Sequence, residues 1–176
     1  MSVDHKTIAV LMGGPGSERE VSIASGKSVS KALAEKGAAV IDVVLEDESL
    51  EFEDEVDLVF NVIHGTFGED GSLQKILNER RIPYTGAGAS SSELAFDKLL
   101  SKKSFVEHGV NTPLFDFIST SGESQTSIKE PYVIKPPKEG SSVGVHIIRY
   151  ASEFDEAVKD VAKYDEIALV EEFISG

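Results

Sequence analysis

Cysteine is absent from this chain of 176 residues. Its absence excludes a disulfide framework, a thiolate zinc site and a cysteine nucleophile together, and it fits a reducing, cytoplasmic compartment. Long apolar runs are also missing. The longest, Ile8 to Met12 and Leu58 to Ile63, fall far short of the roughly 20 apolar residues a membrane helix needs. Positive charge is scarce, with 17 Lys and Arg against 31 Asp and Glu and a net charge of −14. That balance sets the exterior against nucleic acid and against an anionic membrane surface as partners. At the N-terminus, Met1 to Lys6 is polar and has neither the apolar segment nor the small-residue cleavage site of a signal peptide, so it reads as a mature start. What is present, 27% charged and 40% hydrophobic residues, is the balance of a soluble globular protein.

Hydrophobic spacing predicts an α/β order in the first half. Thr7 to Leu11 is an apolar run closed by Met12-Gly13-Gly14-Pro15-Gly16, a buried strand entering a glycine-rich turn. Val21, Ala24, Ser28, Val29, Ala32 and Leu33 form one face of a helix over Glu20 to Lys36, and Gly37 supplies the stop. Val40 to Leu45 and Asp57 to Ile63 read as further strands of a parallel sheet, separated by an acidic connection over Glu46 to Glu55. Leu73, Ile76 and Leu77 mark a short helix with Asp70 as its N-cap, and Ile82-Pro83-Tyr84 begins another extended piece. The Gly/Ala/Ser-rich stretch Thr85 to Ser92 reads as an interdomain connection, placing the boundary near residue 93 and domains over 1–93 and 94–176.

The second half reads as a smaller α+β unit. A helix carrying Phe96, Leu99, Leu100 and Val106 stops at Gly109. Strands follow over Leu114 to Ser119, Tyr132 to Lys135 and Val145 to Tyr150, with a polar loop over Ser119 to Lys129. Ser152 is placed to cap a helix with the stripe Phe154, Ala157, Val158, Val161 and Ala162, and a last strand runs from Glu166 to Val170.

Several motifs resemble nucleotide sites and fail on spacing. Gly26-Lys27-Ser28 would end a P-loop only if Val21 were glycine. Gly14-Pro15-Gly16 and Gly86-Ala87-Gly88 each begin a dinucleotide fingerprint whose third glycine falls on Arg19 and on Ser91. His5, His64, His108 and His146 have no metal-ligand spacing.

A coherent set remains. The loop Lys138 to Gly144 offers backbone N–H groups with little steric cover, and Gly140, Ser141, Ser142 and Gly144 allow close approach to phosphate oxygens. Lys135, just before it, adds a point charge. Composition alone reads the same loop equally well as a flexible hairpin. Glu18 and Arg19 sit in the turn after the first strand, where an open α/β sheet places its ligands, and His64 holds the equivalent place after the third strand. Glu18 suits a substrate ammonium or, more plainly, the dipole of the helix that follows, and a lone histidine is more often structural than catalytic. Lys98 on a helix, and Glu171 and Glu172 after the last strand, are either ligand contacts or ordinary surface charge.

Taken together, Gly13-Gly14-Pro15-Gly16-Ser17-Glu18-Arg19-Glu20-Val21-Ser22, His64-Gly65 with Gly68-Glu69-Asp70-Gly71, Pro83-Tyr84-Thr85-Gly86, Asp97-Lys98, and Lys135-Pro136 with Glu139-Gly140-Ser141-Ser142-Val143-Gly144 closely resemble the D-alanine-D-alanine ligases. The order and spacing match along essentially the whole chain. The resemblance implies an ATP-grasp enzyme: an N-terminal open parallel α/β domain followed by a smaller α+β ATP-grasp subdomain, with ATP held between domains. It implies ATP-dependent joining of two D-alanines through an acyl phosphate, for peptidoglycan synthesis in the cytoplasm. By the same resemblance, Glu18 binds the ammonium of the first D-alanine with Ser141 hydrogen-bonded to it, and His64 lies near that substrate's carboxylate. Lys98 and Lys135 contact ATP, the loop with Gly140, Ser142 and Gly144 covers its phosphates, and Glu171, Glu172 and Ile174 meet the adenine. Family members are longer. The resemblance therefore implies that the magnesium ligands and most of the second-substrate pocket belong to a C-terminal part beyond residue 176. A homodimer through the N-terminal domain is a further implication. A D-alanine-D-lactate type ligase, and a non-catalytic module that holds nucleotide or D-alanine, stay open beside it.

Overall fold

A computed structural model describes residues 5–16, 18–51 and 55–175. Ser17 of the glycine-rich turn, the first four residues of the polar start, residues 52–54 of the acidic connection and Gly176 lie outside the described residues. The chain divides into two compact units, Met1–Glu93 and Leu94–Gly176.

The first unit is built on β1 (Thr7–Gly13), buried on both sides because its neighbours pair with it in parallel: β2 (Ala39–Leu45) on one edge and β3 (Leu58–Asn61) on the other. Alternation along β1 assigns its side chains to two cores. Ile8, Val10 and Met12 face α1 (Arg19–Glu35), with Ile23, Val29 and Leu33 against them. Ala9 and Leu11 face the opposite way, into a core with Phe67 and with Leu73 and Leu77 of α2 (Ser72–Glu79). Gly26 belongs to the helix packing. A Cβ there would lie 2.6 Å from Met12 Cβ, so the residue that imitated a P-loop glycine is what lets α1 lie close on β1. The extended piece at Ile82–Tyr84 is one parallel bridge, Val59 to Tyr84, beside β3.

Several local expectations are corrected here. Gly71, with φ of +92°, stands between Asp70 and α2 and takes the cap position; the Asp70 carboxylate instead accepts N–H bonds from Ser72 and Phe67. The end of the Gly/Ala/Ser-rich stretch is helical: α3 (Ala89–Phe96) begins inside it, since alanine favours helix and serine tolerates it. The single helix expected after it is two. Asp97 is extended, ends α3, and caps α4 (Lys98–Glu107) by accepting from Leu99 and Leu100 N–H.

The second unit is an antiparallel sheet in the order β4 (Phe115–Ser119), β7 (Ile167–Glu172), β5 (Tyr132–Lys135), β6 (His146–Ile148). One face carries Ile118, Tyr132, Ile134, Ala168 and Val170 into a core closed by Ala157, Val158 and Val161 of α5 (Phe154–Val161). Ser152 is not the cap of α5. Residues Ala151–Glu153 form a 3-10 turn, and the Glu153 carboxylate closes it by accepting from the N–H groups of Arg149 and Tyr150. The last strand runs two residues further than its apolar pattern, so Glu171 and Glu172 lie within β7 instead of after it; both are bracketed by strand partners, Phe115 and Val133 for Glu171 and Tyr132 for Glu172. Among the described residues no helix is long and apolar enough to cross a membrane.

Candidate functional site

In the first unit, parallel pairing brings the ends of β1 and β3 to one side, where the turn after β1 meets the loop after β3. Gly13 and Gly14 make that turn with φ of +86° and +91°, a conformation side chains resist. There is also no room for one. A Cβ on Gly13 would stand 2.7 Å from Leu45 O, and one on Gly14 2.7 Å from Ile63 Cγ2. Ser22, fully buried on α1, joins the pieces: its Oγ accepts from Gly13 N–H at 2.9 Å and donates to Val62 O at 2.7 Å.

The partner loop is equally constrained. Phe67 adopts φ of +74° while buried in the core, and a Cβ on Gly68 would lie 2.2 Å from Ile63 O. The Gly68 carbonyl accepts from Asn61 Nδ2 at 2.8 Å and Gln74 Nε2 at 2.7 Å. These two segments bring the turn that carries Glu18 against the loop that begins at His64. Glu18 Oε2 lies 3.5 Å from the point a Gly65 Cβ would occupy, and His64 O lies 3.7 Å from that of Gly16. The His64 ring is half-exposed, with Nδ1 3.4 Å from Glu69 Oε1. Arg19, the neighbour of Glu18, turns away. Its guanidinium donates to the carbonyls of Leu45 and Gly14 and pairs with Glu46 at 2.5 Å, bracing the turn.

In the second unit, alternation places Val133, Lys135, Leu169, Glu171, Phe115 and Phe117 on the sheet face opposite the α5 core. Lys135 and Glu171 are diagonal neighbours across β5 and β7 and form an ion pair. The other Glu171 oxygen pairs with Lys102 of α4, which is 5% exposed. Lys102 Nζ also donates to Thr112 Oγ1 at 2.5 Å and stands 4.9 Å above the Phe115 ring. Lys98, one helical turn before Lys102, points its Nζ at the loop after β5, donating to Glu139 O at 2.5 Å and Pro137 O at 3.2 Å. The Lys98 backbone N–H is bound to Pro137 O as well, so α4 and this loop are stitched together.

Electrostatics follow from that crowding. Burial, and then the Lys135 charge, hold the Lys98 ammonium below the usual lysine range. Burial pushes the Glu171 carboxyl up, but the hydrogen bonds from Lys102 and Lys135 outweigh it and leave the group below the usual carboxylate range. Lys98 feels the charges of Glu139, Glu171 and Asp97 as well as that of Lys135, and Lys102 with Lys135 sets two ammonium groups on the one Glu171 carboxylate, a local surplus of positive charge in a chain whose net charge is −14. Such a surplus is suited to an anion with several oxygens.

The loop itself runs beyond this cluster. Ser141 and Ser142 take φ of +49° and +64° and are exposed; Val143 N–H donates to Gly140 O at 2.9 Å. Gly140 has nothing within 4 Å of its missing Cβ, whereas Gly144, with φ of +65°, would meet Pro136 Cδ at 3.0 Å. Ile174 follows β7 and is exposed, and Glu172 faces solvent at the strand end. Sequence reasoning missed Lys102. Its signal was the spacing from Lys98: like charges at i, i+4 on one helix face repel unless a buried acid stands opposite them.

Matches to known proteins take in both units. A family profile described as "D-ala D-ala ligase N-terminus" matches residues 44–87, and one described as "D-ala D-ala ligase C-terminus" matches residues 111–176. The chain belongs to the D-alanine-D-alanine ligase family. The D-alanine-D-alanine ligase of Methylacidiphilum infernorum is 41% identical over 96% of this chain and 55% of its own length. That of Rickettsia typhi is 44% identical over 97% of this chain and 54% of its own length. The crystal structure of the Bacillus anthracis ligase complexed with ATP superposes with a TM-score of 0.85 at 28% identity, over 97% of this chain and 60% of that one. The chain therefore spans little more than half the length of the curated relatives it matches.

Proposed function

We infer that this chain carries the first-substrate and nucleotide-binding parts of an enzyme that joins two D-alanines at the expense of ATP, in the cytoplasm, for peptidoglycan synthesis. The lysine pair on Glu171 is the observation that carries the reading, because two ammonium groups on one buried carboxylate leave a positive charge that an anion would complete. The first unit, over 1–93, takes the first D-alanine: Glu18 accepts its ammonium and His64 lies toward its carboxylate. The second, over 94–176, is the ATP-grasp part. Lys98 and Lys135 hold phosphate oxygens, and Gly140, Ser142 and Gly144 cover them with backbone N–H donors. Glu171, Glu172 and Ile174 border the adenine.

Chemically, a carboxylate oxygen of the first D-alanine attacks the γ-phosphorus and ADP leaves. The amine of the second then attacks the acyl carbon, expelling phosphate and giving up a proton. The protein's part in the first step is to hold two like-charged groups together, which the lysines and loop donors make affordable by offsetting the repulsion. Magnesium, implied by the family resemblance, finds no set of three or more His, Asp or Glu placed to hold it among the described residues. A homodimer is the proposed assembly.

The test is D-alanine-dependent phosphate release from ATP, with the dipeptide identified by mass spectrometry, on this chain alone and with the C-terminal part of a curated relative added. Dipeptide in either arm supports the reading. ATP binding with no D-alanine-dependent phosphate release in both arms favours a nucleotide-binding module, and a product formed with D-lactate in preference to D-alanine favours the depsipeptide-forming alternative.

A further inference from the structure

Lys102 is the most deeply placed cation among the described residues, and no role for it follows from the sequence motifs. Its side chain is 6% exposed and is bound on three sides: to one oxygen of Glu171, to Thr112 Oγ1, and over the Phe115 ring. A ligand has no evident route to an ammonium so enclosed. Lys135 is different. It sits on the other oxygen of the same carboxylate, its side chain is 23% exposed, and it stands at the start of the phosphate-facing loop. Glu171 thus bridges an inner and an outer lysine.

We propose that Lys102 is a positioning residue for nucleotide binding: by neutralising and orienting Glu171 from the inside, it leaves the outer lysine, Lys135, set in place with its charge available to phosphate. The argument is one of charge balance. Two lysines share one carboxylate, so the trio carries one net positive charge. Without the Lys102 charge the trio is neutral, and Lys135 becomes the only counter-ion of a buried carboxylate that it must abandon, or share, to bind an anion. Thr112 and the Phe115 ring fix Lys102 and hence the side of Glu171 that faces outward. This inference rests on the nucleotide reading above.

The experiment compares ATP dissociation constants, by titration calorimetry on the full chain, for the wild type, Lys102→Met, Lys102→Arg, Glu171→Gln and the double variant Lys102→Met with Glu171→Gln. Lys102→Met is expected to weaken ATP roughly tenfold. Lys102→Arg keeps the charge and is expected to stay within about threefold of the wild type. In the Glu171→Gln background no carboxylate remains to be neutralised, so adding Lys102→Met is expected to change ATP affinity by less than about threefold relative to Glu171→Gln alone. A purely structural role for Lys102 predicts the opposite, an added loss. A nucleotide-free reading accompanies these: the Glu171 carboxyl carbon, followed by 13C NMR, should titrate at higher pH in Lys102→Met, because one of the two hydrogen bonds that lower it is gone. Unchanged ATP affinity in Lys102→Met overturns the inference while leaving the nucleotide reading intact. A wild-type chain that binds no ATP overturns the nucleotide reading, and this role with it. If Lys102→Met does not fold, the double variant decides: ATP affinity no better than a tenth of that of Glu171→Gln overturns the proposal.

Discussion

The first unit holds the segments around Glu18 and His64 by backbone fit, and the second holds those around Lys135 by charge. Around Glu18 and His64 the constraints are glycines with no room for a Cβ, a left-handed Phe67 and hydrogen bonds to main-chain carbonyls. Around Lys135 they are ammonium groups on a shared carboxylate, while the loop that follows leaves the space beside Gly140 Cα empty. A substrate that is small and must be gripped in one pose suits a crevice whose walls cannot shift. A polyanion suits a surplus of charge on a loop that can move over it.

The sharpest way to break the contrast is to add a methyl group in each place. Gly68→Ala drives a Cβ to 2.2 Å from a backbone oxygen, and it should cost about 3 kcal/mol or more of stability in a urea unfolding series. Gly140→Ala meets nothing and should stay within about 0.5 kcal/mol. Equal effects at the two sites would dissolve the distinction.

Next in size is Glu171→Gln, which strands the buried Lys102 and should destabilise the second unit by roughly 2 kcal/mol. The acid limb sharpens this. The Glu171 carboxyl lies below its usual range in the folded state, so its contribution is present above the unfolded value and is lost as pH falls through the lower folded one. The Gln variant should therefore lose less stability than the wild type as pH falls below the usual carboxylate range, and an identical acid limb in thermal melts contradicts the assignment.

A third test concerns ligand binding as pH rises. Lys98 is held below the usual lysine range by burial and by Lys135. Phosphate favours its charged form, so ATP affinity should be full below that lowered value and should fall at least about threefold as pH rises through it. Lys98→Arg, which stays charged, should flatten the fall. The smallest effect is expected at the exposed pair Lys75–Glu93, 2.9 Å apart: Lys75→Ala should change stability by less than about 0.5 kcal/mol.

The same contrast explains what was legible in the sequence. Period-two and helical spacing, with Gly13, Gly14 and the His64 to Gly71 motif, located the strands and the crevice of the first unit, because backbone constraints are written in local residue types. The charge network was legible only in part. Lys135 stood out beside its glycine-rich loop, but Lys102, Thr112 and Glu171 are brought together by strand pairing and by α4, far apart in the chain. Capping was misread where one residue intervened. Gly71 displaced Asp70, and a 3-10 turn displaced Ser152. The break at Asp97 was hidden because helical residues flank it on both sides.

The most direct test of the central claim is calorimetric titration of ATP into the full chain and into Lys135→Ala. The account predicts saturable binding by the wild type and a loss of roughly tenfold or more in the variant, with both chains melting at nearly the same temperature, because Lys102 still holds Glu171. Equal affinity in the two chains, or no binding by either, contradicts it.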